Sequence, residues 1–145
     1  MEIVAFGVIL LLARAGFEAE QIDDFKGLNQ KNPWYAGVMA IAMFSLAGVP
    51  PLFGFFAKLM VLKAVIDAGQ LWLAIVAIVF AIIGLYYYLR VVKVMYFDEP
   101  ADDAPLALPQ DRAFRWALSI NGLALLVLGI AWGPLLDWCT RAFAA

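Results

Sequence analysis

Residues Ser45 to Lys63 read SLAGVPPLFGFFAKLMVLK, and this stretch decides the fold. It sets Gly48-Val49-Pro50-Pro51 inside an apolar segment, with Lys58 seven residues beyond Pro51. Between Lys31 and Lys58 there is no charged residue. Paired prolines cannot occupy a helix interior without losing backbone donors and clashing with the preceding turn. In hydrocarbon, the freed carbonyls need partners from neighbouring helices, water or polar side chains. The stretch therefore predicts a discontinuous membrane helix broken at Gly48, Pro50 and Pro51, with Lys58 beside the break facing protein or water.

Composition supports a membrane setting. Of 145 residues, 66% are hydrophobic and 15% charged, with a mean hydropathy of +0.88. Soluble domains are nearer half apolar and a quarter charged. The fold class expected is all-α, a polytopic transmembrane helical bundle embedded in a lipid bilayer. Ten basic residues scattered over the loops form no patch for nucleic acid. With no histidine and only Cys139, the usual haem, iron–sulfur and zinc ligand sets cannot be assembled. No phosphate-cradling or dinucleotide fingerprint is present. No metal site or catalytic redox residue is expected in this chain, and a proton relay would have to use Lys, Asp, Glu, Tyr or water.

Working outward, residues 3–14 form an apolar helix with only eleven uncharged positions before Arg14. A full span needs about 20. Glu2 stands where a signal peptide carries positive charge, so these residues read as a partial helix of a longer protein. Residues 15–32 are a polar connection, in which Ile22, Phe25 and Leu28 recur every three positions and predict a short interfacial helix. Asn32-Pro33 opens the next helix. The segment 33–66 would extend about 50 Å as one straight helix, well over the roughly 30 Å hydrocarbon core; the break splits it into two halves. Residues 71–96 form a span ending in Tyr86-Tyr87-Tyr88, Arg90 and Lys93, the pattern of an aromatic belt with snorkelling anchors. A proline-rich acidic loop covers 97–112, and the last helix is expected over 114–136, with Gly133-Pro134 marking its end. The Gly129-x-x-x-Gly133 pattern within it is weak evidence of close packing. The count is three full spans plus a partial N-terminal one.

Basic residues orient the bundle. Arg14, Lys26, Lys31, Arg90, Lys93, Arg112 and Arg115 lie on the side of the long loops, against Lys63 and Arg141 opposite. Seven against two places the long loops in the cytoplasm and the C-terminus outside.

Two readings of Lys58 stand side by side. In one it is buried beside the break, where an intramembrane lysine costs about 3 kcal/mol on insertion scales and marks a functional site by default. Desolvation disfavours its ammonium form, so it can load and release a proton. In the other, residues 34–53 span alone, 54–66 lie in the interface, and Lys58 is a solvated anchor. Lys63, with Asp67 four residues on, reads as a local ion pair or a snorkelling anchor. Ser45 precedes the break by one turn and is positioned to cap freed carbonyls or touch a water chain.

SLAGVPPLFGFFAKLMVL, preceded by DDFKGLNQKNP and followed by GLYYYLRVVKVMYF, closely resembles the subunit N family of proton-translocating NADH:quinone oxidoreductase, complex I. That family belongs to the antiporter-like membrane subunits, which it shares with Mrp sodium/proton antiporters and membrane-bound hydrogenases. The proline break and its lysine carry the wider resemblance, and YYYLRVV points to subunit N. The resemblance covers nearly the whole chain and implies the C-terminal part of a subunit built on two inverted repeats, each with a discontinuous helix. It implies that 33–66 is the broken helix of the second half, that Lys58 is its proton-translocating lysine on the exit side, and that Tyr86 and Tyr87 give support together with water. Implied partners are the other membrane subunits of complex I in a bacterial inner membrane. NADH, flavin, iron–sulfur clusters and quinone are expected in partner subunits, with no cofactor in this chain. The glutamate of the first half and the central lysines have no counterpart here, so translocation would need the missing helices. An Mrp-type antiporter subunit and an inert structural fragment are the alternative functions.

Overall fold

The computed structural model describes residues 1–14, 21–100 and 112–143. Parts of both expected cytoplasmic loops, residues 15–20 and 101–111, lie outside the described residues. Helices α1 (Glu2–Arg14), α2 (Leu28–Lys31), α3 (Pro33–Ala47), α4 (Phe53–Asp67), α5 (Leu71–Phe97), α6 (Arg112–Ile130) and α7 (Trp132–Phe143) follow one another, with a 3-10 turn at Ile22–Phe25. All regular elements among the described residues are helical.

Local chemistry sets the key boundaries. At the start of α3 the Asn32 side chain accepts from the Tyr35 amide at 3.4 Å, and Pro33 occupies the first turn, where its missing donor is not needed. The helix stops at Gly48, whose φ of 86° puts it in the left-handed region that ends helices and suits glycine. Pro50 and Pro51 follow, and α4 starts at Phe53. Each 15-residue half is about 22 Å long, short of the roughly 30 Å core. Two helices, α5 and α6, are long and apolar enough to cross a membrane singly.

Helix α3 is the axis of the bundle. It is apolar on every side, the signature of a buried helix, and Ala36, Met39 and Ala42 are almost fully enclosed. The core joins these to Val4 and Val8 of α1, Val92, Val94 and Met95 of α5, and Leu118 of α6. Helices α3 and α6 run parallel, because contacts advance together along both: Trp34 lies against Arg115, Val38 beside Gly122, and Pro51 against Gly129. Helix α5 is buried within the chain only at Ala74, Val92, Val94 and Met95. Tyr88, Val91 and Tyr96 also pack against the core, and the exposed apolar residues that remain are available to lipid or further helices.

Two expectations change. Phe25 and Leu28 do not face a membrane interface; they are buried in the core against the end of α5, where the Gly27 amide donates to the Val94 carbonyl at 3.4 Å. Three-residue spacing marks an apolar face, and a protein partner covers it here. The last helix does not run 114–136. It ends at Ile130, and α7 restarts at Trp132 and carries Gly133 and Pro134 in its first turn, where proline is tolerated.

Candidate functional site: a helix break closed by a lysine

The last four carbonyls of a helix have no partner within it. In α3 these belong to Phe44, Ser45, Leu46 and Ala47. The Gly48 amide donates to Phe44 and Ser45, each at 3.1 Å, and the Val49 amide to Phe44 at 3.0 Å. The other two are met by one side chain: Lys58 Nζ donates to Leu46 at 2.7 Å and to Ala47 at 3.1 Å. Lysine is chemically apt here. A helix C-terminus carries about half a negative charge, and an ammonium has three donors on a reach of four carbons.

Small residues permit this approach. A Cβ on Gly48 would lie 3.1 Å from Lys58 Cδ and 3.3 Å from Nζ. On the other side of the break, the Gly54 amide of α4 donates to the fully buried Ser45 Oγ at 3.3 Å, and Met1 Sδ lies 3.0 Å from that oxygen. Ser45 thus serves an orphan amide of the second half-helix, while the carbonyls of the first are met elsewhere. Gly54 lies so close that a Cβ would overlap the Ser45 carbonyl. Gly129 of α6 likewise seats its backbone against the Pro51 carbonyl and the Phe53 amide. Trp132 stacks on Phe56 at 5.3 Å and meets Phe53 edge-on at 5.6 Å. Among the described residues, no buried side-chain polar atom is left without a partner.

Lys58 is half-buried and opens onto a groove of about 560 Å³ between α4 and α5, lined by Ala57, Val61, Ala77, Ala81, Gly84 and Tyr88 among others. Lys58 and Tyr88 are its polar members. Tyr86 and Tyr87 are outside this lining; they pack edge-on at 5.6 Å and are largely exposed. Lys63 is exposed, and among the described residues no ion pair joins it to Asp67.

Sequence reasoning passed over Gly54 and Trp132, read Tyr88 only as part of an aromatic belt, and read Gly129 only as half of a Gly-x-x-x-Gly pattern. A signal for the place of Tyr88 on the groove was present. Ala77, Ala81, Gly84 and Tyr88 advance by four, three and four residues, which puts small side chains and one phenol on a single helix face. The sequence marks Gly129 as a close-packing position but does not name its partner, because that contact joins residues distant in sequence.

The family described as "NADH:quinone oxidoreductase/Mrp antiporter, TM" matches residues 1–84, which contain the break, Lys58 and the first part of the groove. The chain belongs to this family. Among relatives, NADH-quinone oxidoreductase subunit N of Herminiimonas arsenicoxydans is 63% identical over 137 residues, covering 94% of this chain and 27% of the relative. Subunit N of Acidithiobacillus ferrooxidans is 63% identical over 142 residues, covering 98% and 29%. Respiratory complex I from Thermus thermophilus with bound aureothin contains a similar fold, with a TM-score of 0.72 and 25% identity over 92% of this chain and 33% of that one. The chain therefore spans less than a third of the length of the curated relatives it matches. In this member of the family, the discontinuous helix and the lysine that closes it both lie within the matched residues.

Proposed function

We propose that the chain is part of a membrane subunit of a bacterial NADH:quinone oxidoreductase and contributes to proton translocation coupled to quinone reduction. The bond of Lys58 to the two carbonyls at the end of α3 carries this reading. An ammonium has three N–H donors, and a neutral amine keeps two. Both carbonyl bonds can persist in either protonation state, so the third proton is exchangeable toward the groove without opening the break. Lys58 takes a proton from water in the groove and returns it, and Ser45, Gly48, Pro50 and Pro51 hold the break in shape. Tyr88, on the groove wall, is better placed than Tyr86 or Tyr87 to order that water.

The segment 33–66 crosses the bilayer as two half-helices, and with α5 and α6 gives three full spans beside the partial α1. The long loops are cytoplasmic and the C-terminus is on the opposite side, in line with the seven-to-two bias of basic residues. The partners are other membrane subunits of the complex in the inner membrane. NADH, flavin, iron–sulfur clusters and quinone belong to partner subunits, and this chain has no redox site of its own.

The test is quinone-dependent proton pumping by the assembled complex carrying Lys58, Lys58→Met or Lys58→Arg. Arginine can still bond the carbonyls but stays charged at all working pH values. Loss of pumping in both variants, with assembly kept in Lys58→Arg, is the expected result. Normal pumping with arginine would reduce Lys58 to a structural cap. Sodium-for-proton exchange without quinone would instead support the antiporter reading that the family description also covers.

A further inference from the structure

A second constellation lies at the opposite end of α3. Trp34, Arg112, Arg115, Trp116, Ser119 and Leu123 line a cleft of about 400 Å³ where α3 and α6 begin. The Arg115 guanidinium sits 5.2 Å over the Trp34 ring, which orients it. The Ser119 hydroxyl donates to the Arg115 carbonyl at 2.6 Å and so is turned into its own helix. Among the described residues, neither arginine meets a carboxylate, and no carboxylate lines the cleft. Two guanidiniums with no carboxylate partner among the described residues offer an anion site in charge, and their planar forks match phosphate.

The cleft does not end there. Through Trp34, Ser119 and Leu123 it continues into a groove of about 230 Å³ along α3 and α6, whose other walls are Pro33, Gly37, Val38, Ile41 and Gly122. This groove is almost wholly apolar and runs from the arginines toward the bilayer interior, because both helices start at the arginine end. Gly37 leaves it open: a Cβ there would meet nothing within 4 Å. A paired-arginine cleft framed by tryptophans, followed by an apolar channel, has the order of a lipid molecule from head to tail. Tryptophans and arginines also sit at headgroup depth in membrane proteins. We infer that this surface binds an anionic phospholipid, with its phosphate between Arg112 and Arg115 and one acyl chain along Gly37 and Gly122.

The test uses the full chain, extracted in mild detergent from its own membrane with whatever assembles with it. It is transferred to micelles doped equally with phosphatidylglycerol and phosphatidylethanolamine, and bound lipid is counted by native mass spectrometry. The wild type should retain phosphatidylglycerol at least about tenfold over phosphatidylethanolamine, since each basic residue near a membrane surface is worth about fivefold toward anionic lipid. Arg112→Gln/Arg115→Gln should bring the two lipids close to parity, whereas Arg90→Gln/Lys93→Gln should not. Gly37→Leu places its Cβ in open space and its longer branch in the channel, and it replaces glycine in a helix interior, so it should fold at least as well while losing the lipid. Unchanged phosphatidylglycerol binding in both the double-arginine variant and Gly37→Leu would overturn the proposal. So would equal displacement by glycerol phosphate, which lacks the tail, or capture of a protein rather than a lipid by a photo-crosslinker at Trp116.

Discussion

Lys58 Nζ lies 2.7 Å from the Leu46 carbonyl oxygen, so a side chain of the second half-helix closes the end of the first. The two residues are twelve positions apart, and the chain between them contains Pro50 and Pro51. The prolines free the carbonyls and the lysine satisfies them, which makes break and lysine one structural unit.

Removing the ammonium should therefore cost stability apart from any effect on transport. Lys58→Met leaves the Leu46 and Ala47 carbonyls without their donor, at about 1–3 kcal/mol for the desolvated groups. Lys58→Arg should recover most of this. Thermal unfolding of the protein in bilayer discs measures both, and equal melting temperatures for Met and wild type would mean that water replaces the lysine at no cost.

Gly48→Ala should be harmful twice. Its φ of 86° costs a residue with a Cβ about 1–2 kcal/mol, and the new methyl would press on Lys58 Cδ and Nζ. A lowered melting temperature should accompany reduced pumping. The lysine would have to shift by a few tenths of an ångström to keep its bonds, and infrared bands of the Leu46 and Ala47 carbonyls, labelled isotopically, would register that shift.

Three further glycines fall into two groups. Gly54→Ala and Gly129→Ala place a methyl against backbone that cannot yield, at Ser45 and at Pro51–Phe53. Each should cost about 1–3 kcal/mol or more. Gly133→Ala meets nothing within 4 Å and should be neutral or mildly stabilising. Expression and thermal stability of the three variants test the ranking.

Ser45→Ala should cost about 1–3 kcal/mol, because the Gly54 amide is left as a buried donor with no acceptor. The effect should appear as faster hydrogen exchange at Gly54 and Phe55 before global unfolding.

Variants in and beside the groove should separate its lining from the tyrosines outside it. Tyr86→Phe and Tyr87→Phe remove exposed hydroxyls outside the groove and should leave pumping unchanged. Ala81→Phe fills the space beside Lys58 and should slow pumping several-fold in an assembled complex. Rates of quinone-dependent acidification give the comparison directly.

Much of this was written into local sequence. A membrane helix must satisfy its backbone internally, so charge-free apolar runs and one double proline already specify helices and the place of the break. The solitary Lys58 stood out for the same reason, since an unpaired charge in such a segment is expensive. What the sequence could not specify is which atoms meet. That Lys58 turns back to Leu46 and Ala47, that Ser45 serves Gly54, and that Gly129 seats the Pro51 carbonyl depend on how α4 and α6 pack against α3. Phe25 and Leu28 have the same three-residue spacing whether lipid or α5 covers them, and the Gly133-Pro134 pair ends one helix or begins another with equal local propriety. Tertiary contact settled both cases, because periodicity reports that a face is apolar and not what lies against it.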